Sequence, residues 1–181
     1  RALCKKEGVD IIINLTTSGG EYEDYKRLQH LSALKPEMCS FDPNTLNWSN
    51  SYIFENSPRF LNKLAEEVVK EDVKPEFEIF DFGALRAVGI YWKKGFVKAP
   101  LHFQFCLGVV GGMDATPHDL QILLDEMHNL QAAGKLPAEC TWSGFGIGKG
   151  HLPVMFSCIA NGGHVRVGME DNVVYGKDKD G

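Results

Sequence analysis

Residues 101–108 read Leu-His-Phe-Gln-Phe-Cys-Leu-Gly, an eight-residue run whose two faces differ in chemistry. His102, Gln104 and Cys106 fall on one side of an extended chain, and Leu101, Phe103, Phe105 and Leu107 on the other. A strand buried in the middle of an open parallel sheet lies under helices on both faces and reads as a continuous apolar run. A strand with one apolar and one polar face, both inside the molecule, suits a barrel whose interior opens on a polar site.

The same split recurs outward from this run. In 76–83, Glu76, Glu78 and Phe80 alternate with Phe77, Ile79 and Asp81, and in 164–171 Arg166 and Glu170 share a face if the segment stays extended. Six strand-like segments are predicted, Val9–Thr17, Glu37–Asp42, Glu76–Gly83, Leu101–Gly108, Cys140–Gly148 and His164–Asp171, each ending in a turn-forming or polar residue. Helical patterns alternate with them. Glu21–Leu34 repeats Tyr22, Tyr25, Leu28 and Leu31; Ser57-Pro58 opens a helix with Phe60, Leu61, Leu64 and Val68 inward; Gly83–Phe96 carries Leu85, Val88 and Trp92. Thr116-Pro117 starts a helix with Leu120, Leu123, Leu124, Met127 and Leu130, and His151–Asn161 is the last. These starts carry the Ser or Thr cap and first-turn proline expected of helix N-termini.

Strands separated by helices imply a parallel sheet, either open and doubly wound or closed as a (β/α)8 TIM barrel. The polar inner faces favour the α/β barrel. A closed barrel needs eight strands and about 250 residues, so the 181 residues are expected to form a single, incomplete TIM-barrel domain spanning 1–181. It would carry strands three to eight and lack the first two strands and the C-terminal helix.

Composition narrows the partners. Nineteen Lys and Arg against twenty-four Asp and Glu give a formal charge of −5, with no basic stripe to track a phosphate backbone, so nucleic acid is not expected. The apolar runs 9–15 and 154–160 are too short and interrupted to cross a membrane. Five scattered cysteines without a Cys-x-x-Cys pair read as reduced thiols of an intracellular, cytoplasmic protein.

In barrels the working residues sit at the carboxyl ends of strands. Thr16–Gly20 (TTSGG) places hydroxyls and backbone amides before a helix, a cradle for an anion or simply turn and capping chemistry. Gly108–Gly112 (GVVGG) has neither the Walker nor the dinucleotide spacing; it brings backbone close to a ligand or serves as a structural loop. The sharpest segment is HVRVGMEDN, 164–172, where an Arg, a Glu and an Asp can supply a carboxylate clamp, a metal ligand and a general base, or only a salt-bridged strand end. No His-x-His or His-Glu-x-x-His occurs, so a complete zinc site is not visible.

Taken in order, NLTTSGG, PEMCSFDPNTLNW, PEFEIFDFG, HFQFCLGVVGG, TWSGFGIGKG and NGGHVRVGMEDN closely resemble the β-keto acid cleavage enzymes, the 3-keto-5-aminohexanoate cleavage enzyme family, across essentially the whole chain. The resemblance implies a zinc-dependent TIM barrel, usually a homotetramer, that converts a β-keto acid and acetyl-CoA into acetoacetate and a new acyl-CoA. It implies that Glu170 binds zinc, that Asp171 is the catalytic base and that Arg166 is the catalytic arginine paired with it. Thr17 stands at the family's substrate-binding serine and Gly20 at the last glycine of the same turn. Ser40 and Asp42 fall where the family has a substrate-binding Thr and Asn, and Glu78, with Glu76 as its alternative, at the strand glutamate that tunes side-chain preference. The family's two zinc-binding histidines lie on a strand outside this sequence. Against this stand two other readings: a catalytically inactive homologue or fragment serving as a structural or interaction module, and a different metal-dependent barrel aldolase.

Overall fold

The computed structural model describes residues 1–173. Its sheet contains β1 (Asn14–Leu15), β2 (Met38–Phe41), β5 (Lys74–Ile79), β6 (Leu101–Leu107), β7 (Cys140–Gly146) and β8 (His164–Val165), all parallel and in that spatial order. Each new strand is added on the same side of the one before. A doubly wound sheet reverses its strand order at a switch point, and no reversal occurs here. The architecture is α/β, a partial TIM barrel.

Among the described residues lie helices α1 (Ala2–Lys6), α2 (Asp24–Leu34), α3 (Pro58–Glu71), α4 (Phe82–Lys93), α5 (Pro117–Ala132) and α6 (His151–Ala160), a 3-10 turn (Gly148–Gly150) leading into α6, and the hairpin β3 (Leu46–Trp48) and β4 (Tyr52–Phe54) inserted between β2 and α3. The outward strand residues Phe41, Phe77, Ile79, Phe103, Phe105 and Leu107 join one continuous core with Leu61 and Leu64 of α3, Leu85 and Val88 of α4, Leu120 and Leu123 of α5, and Val154 and Cys158 of α6. Removing each such side chain from water contributes about 1.5–3 kcal/mol, which explains why the apolar faces dictate which way every strand turns.

The helix starts follow the sequence signals. Ser57 Oγ accepts the backbone N–H of Phe60, and Thr116 Oγ1 that of Asp119, with proline in the first turn of both helices. Gly89 permits α4 its close packing: a Cβ there would lie 2.8 Å from the Lys135 carbonyl oxygen after α5.

Four expectations need correction. Only Asn14–Leu15 of the predicted strand 9–17 pairs. Val9, Ile11 and Ile12 are exposed, and β1 has β2 as its only strand neighbour among the described residues, so most of this run gains no ladder bonds. The last strand is likewise brief. After Arg166 N–H bonds the Gly144 carbonyl, a turn at Gly168 receives the N–H groups of Asp171 and Asn172, folding the segment back on itself. The segment 76–83 ends as a strand at Ile79, because Asp81 caps α4 by accepting the Ala84 N–H at 2.9 Å. On α2, Tyr22 lies just before the helix, and it and Tyr25 are exposed, while Arg27 and Leu31 are buried.

The GVVGG loop resolves as structural. Gly111 has φ +108°, and a Cβ on it would stand 2.0 Å from the Asn47 carbonyl oxygen of the hairpin. The close backbone approach is to β3, with Ser49 N–H donating to the Val110 carbonyl at 2.8 Å.

Candidate active site

The inward side chains of the sheet line a cavity of about 710 Å³ along its inner face. β1 and the turn after it contribute Asn14, Thr16 and Ser18; β2, Ser40; β5, Glu76 and Glu78; β6, His102 and Gln104; β7, Ser143; and β8 and the segment after it, His164, Arg166 and Glu170. The hairpin walls one side with Trp48, Tyr52 and Phe54.

Arg166 is the organising group. Its Nε and Nη2 donate to Oδ2 and Oδ1 of Asp171, both at 2.9 Å, a two-pronged pairing that fixes the guanidinium plane. Nη1 donates to Glu78 Oε1 at 3.2 Å, Nη2 also meets Glu170, and the guanidinium sits 4.5 Å from the Phe145 ring centroid. Burial alone would lower its pKa; hydrogen bonding to Asp171, and then the charges of Asp171 and Glu78, outweigh that and hold it protonated. The Gly168 turn is what brings Glu170 and Asp171 to the same arginine, since an extended strand would place successive residues on opposite sides.

Below Arg166, Asp42 and Glu78 form a buried carboxyl pair joined by a hydrogen bond, so they share one proton. Burial, with Asp42 beside it, pushes Glu78 well above the ordinary carboxylate range. Burial also raises Asp42 from 3.8 to about 6, against the pull of Glu78's hydrogen bond and the Arg27 charge. Asp42 Oδ1 has no hydrogen-bond partner among the described residues. Both groups hold protons more tightly folded than unfolded, so their contribution to stability is full below about pH 4 and is lost as pH rises, the Asp42 share through about 6. Urea melts should therefore show the unfolding free energy of Asp42→Asn declining less between pH 4 and 7 than that of the parent protein; parallel curves would contradict the shared proton.

Burial, reinforced by Glu78, also raises the pKa of Glu76, although Asn14 Nδ2 donates to it at 2.9 Å. His102 Nε2 stands 3.7 Å from Glu76 Oε2. That distance fits an ion pair, but burial and then the neighbouring His164 and Lys74 lower His102 to about 4, so at neutral pH it is an uncharged imidazole. Its Nδ1 meets Thr141 Oγ1 at 2.8 Å.

Arg166, Asp171, Glu170 and Glu78 are thus gathered into one cluster, with Asp42 beneath it and Ser40 on the adjoining wall. Thr17 is turned away: it is fully buried, its hydroxyl donates to the Ser40 carbonyl at 2.9 Å, and its backbone N–H donates to Ser40 Oγ. The hydroxyls of Thr16 and Ser18 are the ones beside the cavity. Gly20 packs against the backbone of Glu55, where a Cβ would meet its nitrogen at 2.8 Å. Both sit where Arg27 ties the turn down, donating to the Thr17 and Glu55 carbonyls and to Asn56 Oδ1 while stacking over Phe60. Sequence reasoning passed over Arg27, which reads as one more charge on an amphipathic helix, and over the hairpin. The hairpin's one local signal is Ser49–Asn50, both at positive φ, a less common pair for a tight turn than Asn-Gly.

Among the described residues, no three His, Cys, Asp or Glu side chains converge to hold a metal ion. Glu170, 80% exposed at the side chain and paired with Arg166, is the one residue assigned as a ligand. These residues by themselves do not form a zinc site. No helix among them is long and apolar enough to cross a membrane.

A family model described as beta-keto acid cleavage enzyme matches residues 2–180. The chain belongs to the β-keto acid cleavage enzyme family. The 3-keto-5-aminohexanoate cleavage enzyme of Acetoanaerobium sticklandii is 38% identical over 169 residues, 93% of this chain and 58% of that relative. The 3-dehydrocarnitine:acetyl-CoA trimethylamine transferase of Rhizobium meliloti is 32% identical over 153 residues, covering 84% and 48%. The chain therefore spans about half the length of these curated relatives. A solved ternary complex of ObcA with a C4-CoA adduct and oxalate superposes with a TM-score of 0.73 at 18% identity, over 94% of this chain and 44% of that one, a likeness of fold.

Proposed function

We propose that the intact protein cleaves a β-keto acid with acetyl-CoA. In the balanced reaction R–CO–CH2–COO⁻ loses its bond between the keto carbon and the CH2; R–CO leaves on the CoA sulfur, and the CH2–COO⁻ takes the acetyl group to become acetoacetate. The observation that carries this reading is the guanidinium of Arg166, fixed by both oxygens of Asp171 at the mouth of a polar cavity, in a chain of this family. A protonated, oriented arginine stabilises negative charge as it develops on a carboxylate or enolate, and Asp171 beside it, with a lone pair to spare on each oxygen, serves as the base. Ser40, Asp42 and Glu78 shape the substrate's side of the cavity, with Thr17 and Gly20 holding the turn above it.

Zinc is part of the proposal, with Glu170 as its one ligand from these residues and two histidines from outside them; when bound it polarises the keto group. A soluble cytoplasmic homotetramer is the assembly the family resemblance implies. The test is to supply purified intact protein with acetyl-CoA and a panel of β-keto acids. Acetoacetate and a new acyl-CoA should appear in equal amounts and only with both substrates present. Absence of turnover across the panel would favour the inactive-module reading.

A further inference from the structure

Deeper in the barrel than Arg166 lies a polar group that the proposed chemistry leaves unused. Gln104 is in register with Glu78 on one side and with Ser143 on the other. It is 2% exposed and lines the cavity. Its Oε1 accepts a hydrogen bond from Ser143 Oγ at 2.8 Å, and Ser143 Oγ is also 3.4 Å from Nε2 of His102, whose other nitrogen meets Thr141. This chain of contacts fixes the orientation of the amide. Its Nε2 is left without a hydrogen-bond partner among the described residues. Buried amide donors are almost always paired, because leaving one unpaired forfeits its hydration for nothing.

We infer that Gln104 is a specificity-determining residue, whose amide N–H donates to an uncharged oxygen, a hydroxyl or a carbonyl, on the distal part of the β-keto acid. This rests on the proposed reaction. The reacting end is assigned to Arg166 and Asp171, and Arg166 touches Glu78; Gln104 lies one strand away from Glu78, about 4.8 Å across the sheet, within reach of the other end of a short substrate. The chemistry of the group follows from its neighbours. An anionic end would sit against Glu76 and the proton-sharing Glu78, acidic groups that offer it no positive charge, an N–H donor does not accept from an ammonium, and a methyl would leave the amide unpaired.

The experiment compares the intact protein with Gln104→Met, which keeps length and removes the donor, on two β-keto acids of equal length that differ only in a distal hydroxyl or methyl. An ammonium-ended acid is the third substrate. The variant should raise KM for the hydroxyl acid by about tenfold, the scale of one lost hydrogen bond, with kcat within about threefold and the methyl acid nearly unchanged. Ser143→Ala, which frees the amide to rotate, should shift selectivity in the same direction by less, and serves if Gln104→Met does not fold. Equal effects on hydroxyl and methyl acids, a change confined to kcat, or a larger loss on the ammonium acid would overturn the inference while leaving the reaction standing. No turnover of any acid by the parent protein would overturn both.

Discussion

Replacing Arg166 with Ala is expected to lower kcat/KM by at least about 10³-fold, the scale of losing an oriented charge stabiliser, and to destabilise the protein by about 3 kcal/mol, at the lower end for breaking a buried pair. The reason is electrostatic. Arg166 is the cation among Asp171, Glu78 and Glu170, and Glu78 already shares a proton with Asp42. Without the guanidinium, acidic side chains face one another across a poorly hydrated space. Arg166→Lys should recover part of the stability and little of the activity, because an ammonium cannot make the two parallel bonds to Asp171 that set the plane. Urea melts and steady-state kinetics check both halves, and wild-type kinetics in Arg166→Lys would contradict the role given to the fork.

Glu170→Gln should separate chemistry from architecture. The side chain is 80% exposed, and a glutamine oxygen can still accept from Arg166, so the change in stability should be within about 0.5 kcal/mol, as for a surface substitution. Zinc content and turnover of the intact protein should nonetheless fall together. Elemental analysis of the purified variant alongside its kinetics gives both readings. A variant that retains zinc and turns over normally would remove Glu170 from the metal site.

The fold was legible wherever one face of a strand is apolar and the other polar. β6 shows this plainly: Phe103 and Phe105 enter the core while His102 and Gln104 line the cavity. The ends of the sheet were less legible, because strand length there depends on neighbours rather than on the run of apolar residues, and the stretch 9–12 gains no ladder merely from its apolar residues. Arg166, Glu170 and Asp171 stood out by type and spacing, yet their meeting depends on a turn at Gly168 that the reading as an extended strand did not contain. Thr17 illustrates the opposite case. A motif match places it in the turn, but one residue of register decides whether a hydroxyl faces the cavity, and here Thr16 and Ser18 do. Arg27 and the β3–β4 hairpin were invisible because their value lies in contacts far along the chain, Arg27 reaching to Glu55 and Asn56 and the hairpin to Val110.

The central claim is that the acetyl group of acetyl-CoA moves onto the CH2–COO⁻ fragment of a β-keto acid. It is tested most directly by supplying acetyl-CoA labelled with carbon-13 in both acetyl carbons and following the products of the intact protein by NMR. The label is predicted to appear at the keto and methyl carbons of acetoacetate, with the new acyl-CoA unlabelled. Label retained in the CoA thioester, or acetoacetate free of label, would contradict the account.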